Sequence, residues 1–321
     1  MNVFVCGQTS RHVLPWLEHH RPEDRKATVR DYVALTKPTI MLLVIFTGAS
    51  ALLIEGSLLD EPLRLVLFLI GLYLTGGSAN ALNQYFERDI DARMSRTSKR
   101  RPLPQQRIPA TRALVFSIAI GVVGVALLLA IFNWLTAALS LATILFYGFF
   151  YTLYLKPRTP QNIVIGGAAG AMAPVGAWAA ATGAMAVEPW LMFLMVFLWT
   201  PPHFWALALY CKDDYVKAGL PMMPVVKGEA ATLQKILVYS ALLILVSLLP
   251  VFYGSGVLYL VLAGWLGWKF WSLAWRAWRV RTDAVYRKLF GYSIVYLFAL
   301  FMAMIVDALL IRFVDLPALL S

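Results

Sequence analysis

Nine apolar segments of membrane-crossing length dictate most of what this chain can become. They fall at 38–55, 63–86, 111–131, 134–154, 161–181, 189–211, 233–253, 256–275 and 289–312. A helix of roughly 20 residues, rising about 1.5 Å per residue, spans a hydrocarbon core of about 30 Å. Backbone amides in lipid must find partners within the protein, and runs this long suit helices rather than the shorter strands of a barrel. With 60% hydrophobic and only 14% charged residues, no stretch is left over for a soluble domain of useful size. The expected fold class is therefore an all-α polytopic membrane protein. The third and fourth segments are parted by little more than Asn133, so a short turn must reverse the chain there. The eighth is interrupted by Gly264, Gly267 and Lys269. The small-residue run Gly166, Gly167, Ala168, Ala169, Gly170, Ala171 predicts a close helix–helix approach.

Nine crossings place the N-terminus and the loops after spans 2, 4, 6 and 8 on one face. Of the 28 Lys and Arg residues, 26 lie on that face. Only Arg64 and Arg312 lie on the other, with Glu55, Asp60, Glu61 and Glu188. This bias marks the cytoplasmic side, so the N-terminus is expected inside and the C-terminus outside. It also accounts for the net charge of +11 without a nucleic-acid partner. Residues 1–37 read as a polar, disordered cytoplasmic tail, and 38–321 as one membrane domain. The tail has no apolar signal core, and its Glu18, Glu23 and Asp24 argue against a mitochondrial transit peptide. A bacterial inner membrane is the expected location. Cys6 and Cys211 have neither a disulfide framework nor metal-ligand spacing, and are expected to be free thiols.

The most chemically loaded stretch is Gly76–Pro104, GGSANALNQYFERDIDARMSRTSKRRPLP. On a continuous helix, Asn83, Glu87 and Asp91 recur at i, i+4 and i+8 and form one oxygen-rich stripe. Such donors suit a hard divalent cation such as Mg²⁺. Arg93, Arg96, Lys99, Arg100 and Arg101 follow and suit phosphate oxygens. Acids for a metal beside bases for phosphate point to a diphosphate substrate. The alternative is a solvated loop whose basic residues only set topology. A second cytoplasmic loop, YCKDDYVKAGLPMMPVVKGE, brings Asp213 and Asp214 to the same membrane face, among Lys212, Lys217 and Lys227. Two acidic clusters could hold two metal ions on one diphosphate. The alternative for Asp213 and Asp214 is a helix cap or a solvated pair. His203, eight residues before Cys211, would lie about 12 Å inside the boundary on a continuous helix. An ionisable group there is a functional candidate. It could instead donate to a carbonyl freed by Pro201 and Pro202.

Several separate motifs, in order between about Thr36 and Thr232, resemble the UbiA superfamily of intramembrane prenyltransferases. Asn83, Glu87 and Asp91, followed by Met94, Arg96, Thr97 and Arg-Pro-Leu-Pro, resemble its first signature. Tyr151 with Lys156, TPQNIVIGG at 159–167, WTPPHFW at 199–205 and KDDY at 212–215 resemble its haem-farnesylating branch. Three departures stand out. One extra residue separates Thr97 from Pro102, so Arg100 and Arg101 compete for one role. Asp213 and Asp214 are closer together than the acids of the family's second motif. Lys156 stands five residues after Tyr151 rather than four.

The resemblance implies nine helices around a central cavity with a polar cytoplasmic cap. It implies farnesyl transfer from farnesyl diphosphate to a vinyl group of haem b, with addition of water, giving haem O. Haem b would thus be a substrate rather than a cofactor, and a downstream haem-modifying membrane enzyme a partner. The catalytic set it implies is Asn83, Glu87, Asp91, Asp213, Asp214 and Lys156. The four acids would hold Mg²⁺, and two ions are expected. Arg88, Arg96, Arg100, Arg101 and Lys212 would contact the diphosphate, and His203, Trp199 and Tyr151 the haem. A prenyltransferase acting on 4-hydroxybenzoate or a similar ring would share the metal clusters but has no special use for WTPPHFW. A transporter would place polar residues across the bilayer, whereas these acids gather at one face.

Overall fold

The computed structural model describes residues 27–313, with the side chains of Arg96 and Phe313 outside that description. The tail residues up to 26 and the last eight residues, with Cys6 and the tail histidines, lie outside the described residues. The short helix α1 (Val29–Leu35) precedes α2 (Pro38–Glu55) and α3 (Pro62–Phe86). Two short helices, α4 (Arg88–Arg93) and α5 (Ser95–Ser98), follow at the end of α3. Then come α6 (Ala110–Ile131) and α7 (Trp134–Leu145), the latter running through a π-helical segment, Phe146–Leu155, into α8 (Lys156–Arg158). The chain continues as α9 (Asn162–Ala171), α10 (Ala173–Thr182), α11 (Val187–Tyr210), α12 (Lys212–Lys217) and α13 (Met223–Val226). It ends with α14 (Gly228–Leu248), a 3₁₀ turn Leu249–Tyr253, α15 (Val257–Val280) and α16 (Asp283–Phe313).

Among the described residues, nine helical spans are long and apolar enough to cross a membrane. The first is Pro38–Glu55, the third Ala110–Ile131 and the fourth Trp134–Arg158, close to the segments expected from hydropathy. The eighth, despite its glycines and Lys269, is a continuous helix. Lys269 keeps its charge near the rings of Trp265 and Tyr292, at 5.4 and 5.1 Å from their centroids. Asn133 makes the predicted reversal by capping α7: its Oδ1 accepts from the Thr136 amide at 2.9 Å.

Packing follows the small residues. A Cβ on Gly124 would run into Leu74 and Thr75, so α6 can lie against α3 only because that position is bare. Gly166 faces the Tyr151 ring and Gly167 faces Thr200, which seats α9 between the π segment and α11, as the run of small residues predicts. The bundle closes where α16 returns to α2. There Phe46 stacks on Phe298 at 4.1 Å, and the Arg312 guanidinium donates to the carbonyls of Ile54 and Glu55 at the end of α2. Arg312, one of two basic residues on the far face, thus caps a helix C-terminus. Asp307 does the converse at that end, accepting from the Gly256 and Tyr259 amides that open α15.

Residues 27–37, expected as the end of a disordered tail, carry α1 instead. Thr28 and Asp31 form a capping box at its start. Asp31 is buried and receives Arg107 at 2.6 Å, while Gln84 donates to the carbonyls of Ala34 and Leu35. Leu35 joins Ala81, Leu103, Ile108 and Ala113 in a small core. Those contacts tie the segment to α3 and to the basic loop.

Candidate functional site

The stripe Asn83–Glu87–Asp91 survives in the structure with one interruption. Helix α3 ends at Phe86, Glu87 takes a non-helical conformation, and α4 restarts at Arg88. The Asp91 amide still bonds to the Glu87 carbonyl at 2.8 Å, so the three side chains stay on one side. All three are buried. Asn83 is the hub: its Nδ2 donates to Glu87 Oε1 at 2.8 Å and to Thr152 Oγ1 at 3.0 Å. Its Oδ1 accepts from Lys37 Nζ at 2.6 Å.

Three cations converge on the acids. Lys156 Nζ donates to Glu87 Oε1 at 2.6 Å. Arg101 pairs with Asp91 and lies 3.8 Å from Glu87 Oε2. Lys37 completes the set through Asn83. Burial opposes ionisation of Glu87, but Lys156, Lys37 and Arg101 outweigh it and hold that carboxyl below its usual range. At Asp91 burial prevails, with Glu87 adding to it against Arg101, and the carboxyl is raised. Lys37 is pulled well below the ordinary lysine range by burial and by Arg101. Its backbone is left-handed, φ 53°, an unusual conformation for a lysine, at the junction between α1 and α2.

The spacing of Tyr151 and Lys156 is explained by the π segment. A π-helix closes i→i+5 hydrogen bonds, so residues five apart stand about one turn apart. The Lys156 amide bonds to the Tyr151 carbonyl, and Thr152 Oγ1 bonds back to the Tyr147 carbonyl at 2.7 Å. A five-residue interval here does what four does in an α-helix. It brings Tyr147, Tyr151, Thr152 and Lys156 to the site together. Tyr147 and Tyr151 stack at 5.0 Å.

Of the two competing arginines, Arg101 enters the cluster. Arg100 is exposed, and its carbonyl accepts from Arg107. Arg88 turns the other way, over the Tyr85 ring at 4.9 Å with a bond to the Tyr85 carbonyl. The second acidic pair divides: Asp214 is buried and accepts from Ser95 of α5, whereas Asp213 and Lys212 are exposed. Among the described residues, no three His, Cys, Asp or Glu side chains form a ready-made metal cluster. The carboxylates are instead occupied by the protein's own cations.

Beside this polar cluster lies an apolar cavity of about 200 Å³, partly open to the outside. Met41, Phe68, Leu72, Tyr147, Tyr151 and Trp199 are among the residues that line it. Asn80, one turn before Asn83, joins the lining, so polar site and cavity are continuous along α3.

His203 is not among the lining residues. It is sandwiched between Trp199, at 4.2 Å, and Phe290, at 4.5 Å. Ser293 Oγ gives its only hydrogen to the Phe290 carbonyl at 2.6 Å, so it must accept from His203 Nδ1 at 2.7 Å. The imidazole is thereby held as the Nδ1–H tautomer with a lone pair on Nε2. Trp199 Nε1 donates to the Ser293 carbonyl at 2.7 Å, fixing the same assembly. Neither proline-freed carbonyl serves His203.

Sequence reasoning missed Lys37, Thr152, Ser95 and Ser293. Lys37 did carry a signal, since it stands immediately before Pro38 at the start of the first span. The serines and the threonine carried none, because their roles depend on which helices meet.

Comparison with known proteins bears on the same region. The UbiA prenyltransferase family model matches residues 42–305. A curated relative from Erythrobacter litoralis named protoheme IX farnesyltransferase is 48% identical over 301 residues, covering 92% of this chain and 97% of its own. A solved structure of digeranylgeranylglyceryl phosphate synthase superposes with a TM-score of 0.73 at 20% identity, covering 87% of this chain and 98% of that one. A UbiA homologue from Archaeoglobus fulgidus, bound to DMAPP and Mg²⁺, gives 0.58 at 17% identity, covering 85% and 99%. At those identities the solved structures show a shared fold.

Proposed function

The chain belongs to the UbiA prenyltransferase family, and on that premise we propose that it transfers a farnesyl group from farnesyl diphosphate to a vinyl group of haem b. The C1–O bond of the farnesyl diphosphate breaks, and diphosphate leaves with the bonding pair. The terminal vinyl carbon forms the new C–C bond. Water adds to the adjacent carbon and releases a proton, giving haem O for terminal oxidases. The name of the 48%-identical relative supports this acceptor. The observation that carries the reaction class is the continuity of an acid–base cluster with an apolar cavity.

The buried carboxylates of Glu87 and Asp91, with the Asn83 amide, fit Mg²⁺ by donor type: all are hard oxygen ligands. Asp214, set apart on Ser95, supports a second ion, with Asp213 further out. Bound Mg²⁺ would neutralise the charge that develops on the departing diphosphate. Asn83 orients Glu87. Lys156 and Arg101, joined by Lys37, offer N–H donors to phosphate oxygens. Arg96 and, at the exposed rim, Arg100 and Lys212 would guide the anion inward. The stacked rings of Tyr147 and Tyr151, with Trp199, line the cavity where the allyl cation must be kept from water. His203, stacked on the cavity-lining Trp199, would offer its Nε2 lone pair to haem, with Ser293 behind it as an orienting partner.

The Lys and Arg bias supports a bacterial inner membrane with the N-terminus cytoplasmic and the C-terminus periplasmic. The product is membrane-soluble, so its natural recipient is a further haem-modifying membrane enzyme. Removing the metal tests the reading. Detergent-purified protein given farnesyl diphosphate and haem b should lose turnover with EDTA and regain it with excess MgCl₂. Full turnover in EDTA would contradict a metal-assisted reaction.

A further inference from the structure

The acids assigned to the metal are already neutralised. Glu87 Oε1 holds Lys156 at 2.6 Å and Asn83 at 2.8 Å, and Arg101 spans Asp91 and Glu87. Lys37 holds the amide oxygen of Asn83, a third candidate ligand, at 2.6 Å. Three candidate ligand groups are therefore engaged by the protein's own basic side chains. A divalent cation arriving alone must displace Lys156 from Glu87 and Arg101 from Asp91. An anion arriving alone finds the cations bound to carboxylates. The two together solve both problems, because each releases the partner that the other needs.

We propose that Arg101 and Lys156 are placeholder cations. They occupy the oxygens of Glu87 and Asp91 until metal and diphosphate enter as a complex, then transfer to the phosphate oxygens. The site thus accepts the metal–diphosphate complex and discriminates against either component alone. This rests on Glu87 and Asp91 being the metal ligands.

Only side chains need to move. The backbone of the basic loop is fixed: the Arg101 amide bonds to the Thr97 carbonyl at 2.9 Å, and Thr97 Oγ1 holds the Asp91 carbonyl at 2.7 Å. Arg107 pins the loop to Asp31 of α1 at 2.6 Å, and Leu103 and Ile108 are buried. The placeholder pairs also spare the empty site from holding buried, unpaired carboxylates, which would be strongly destabilising. After turnover they compete with the metal for the same oxygens and favour departure of metal and diphosphate together.

Isothermal titration with MgCl₂, with and without saturating inorganic diphosphate, tests this on the full-length detergent-purified protein. Linkage of this kind should make diphosphate tighten Mg²⁺ binding by about 5–150-fold, and Mg²⁺ should tighten diphosphate binding equally. Arg101→Gln and Lys156→Gln should each bind Mg²⁺ alone about tenfold more tightly than wild type, since each removes a positive charge within a few ångströms of the ligands. Arg101→Lys should keep the weak wild-type affinity. Mg²⁺ affinity unchanged or lowered in both neutral variants overturns the proposal, while loss of diphosphate-dependent Mg²⁺ binding in Glu87→Gln would leave the metal assignment standing. If wild type and Glu87→Gln take up Mg²⁺ identically with diphosphate present, the metal assignment fails, and the proposal with it. Melting temperatures identify any variant that has not folded, and each neutral variant serves as the check on the other.

Discussion

Glu87→Gln should lower farnesyl transfer by about 10³-fold or more, the scale on which removing a preorganised electrostatic contact to a transition state is felt. The substitution preserves shape and leaves an acceptor for Lys156, while removing the charge that a metal requires. Glutamine is the informative choice. From sequence, Glu87 stands at a helix end facing the cytoplasm, and alanine there is expected to leave the fold intact. The structure shows it 2% exposed, with Lys156 and Arg101 upon it. Alanine would strand both cations and confuse lost folding with lost chemistry. Steady-state product formation, with melting temperature as control, reads the effect. Near-normal turnover in a folded Glu87→Gln protein at low Mg²⁺ would remove Glu87 from the metal site.

His203→Ala should weaken haem binding by about tenfold or more and shift the Soret band, while affinity for farnesyl diphosphate stays near wild type. Ser293→Ala, which releases Nδ1 but leaves the imidazole, should produce a smaller loss in the same direction, since the partner behind a ligating histidine orients its ring and raises its basicity. The geometry separates this from a packing role. A histidine that merely fills the space between Trp199 and Phe290 would, when removed, lower thermal stability and impair both substrates together. A haem titration beside a melting curve distinguishes the two. Unchanged haem affinity and spectrum in His203→Ala would end the haem role.

The spans were legible because lipid leaves a chain few options: a long apolar run must be a helix. The acid stripe was legible because α-helical periodicity nearly holds across Glu87. The helix α1 was hidden within a polar stretch, since a capping box of Thr28 and Asp31 becomes persuasive only once Arg107 is known to meet it. Lys156 seemed misplaced because helical spacing was assumed, and no local rule announces ten residues of π-helix. Asp213 and Asp214 read as a pair, yet adjacent residues on a helix point about 100° apart, and only Asp214 turns inward to Ser95. Lys37 was read only as one of many topology-setting charges, although its place before Pro38 set it apart; its role emerges from the fold that carries it to Asn83.

The central claim is that one site joins farnesyl diphosphate to haem b with the help of Mg²⁺. Its most direct test is a competition in a single vessel. Detergent-purified protein receives radiolabelled farnesyl diphosphate, MgCl₂ and equal amounts of haem b and 4-hydroxybenzoate, and the products are separated and weighed by mass spectrometry. The account predicts label on haem only, in a product heavier than haem b by a farnesyl group and a hydroxyl whose oxygen comes from ¹⁸O-labelled water. Label on 4-hydroxybenzoate with haem untouched would contradict it.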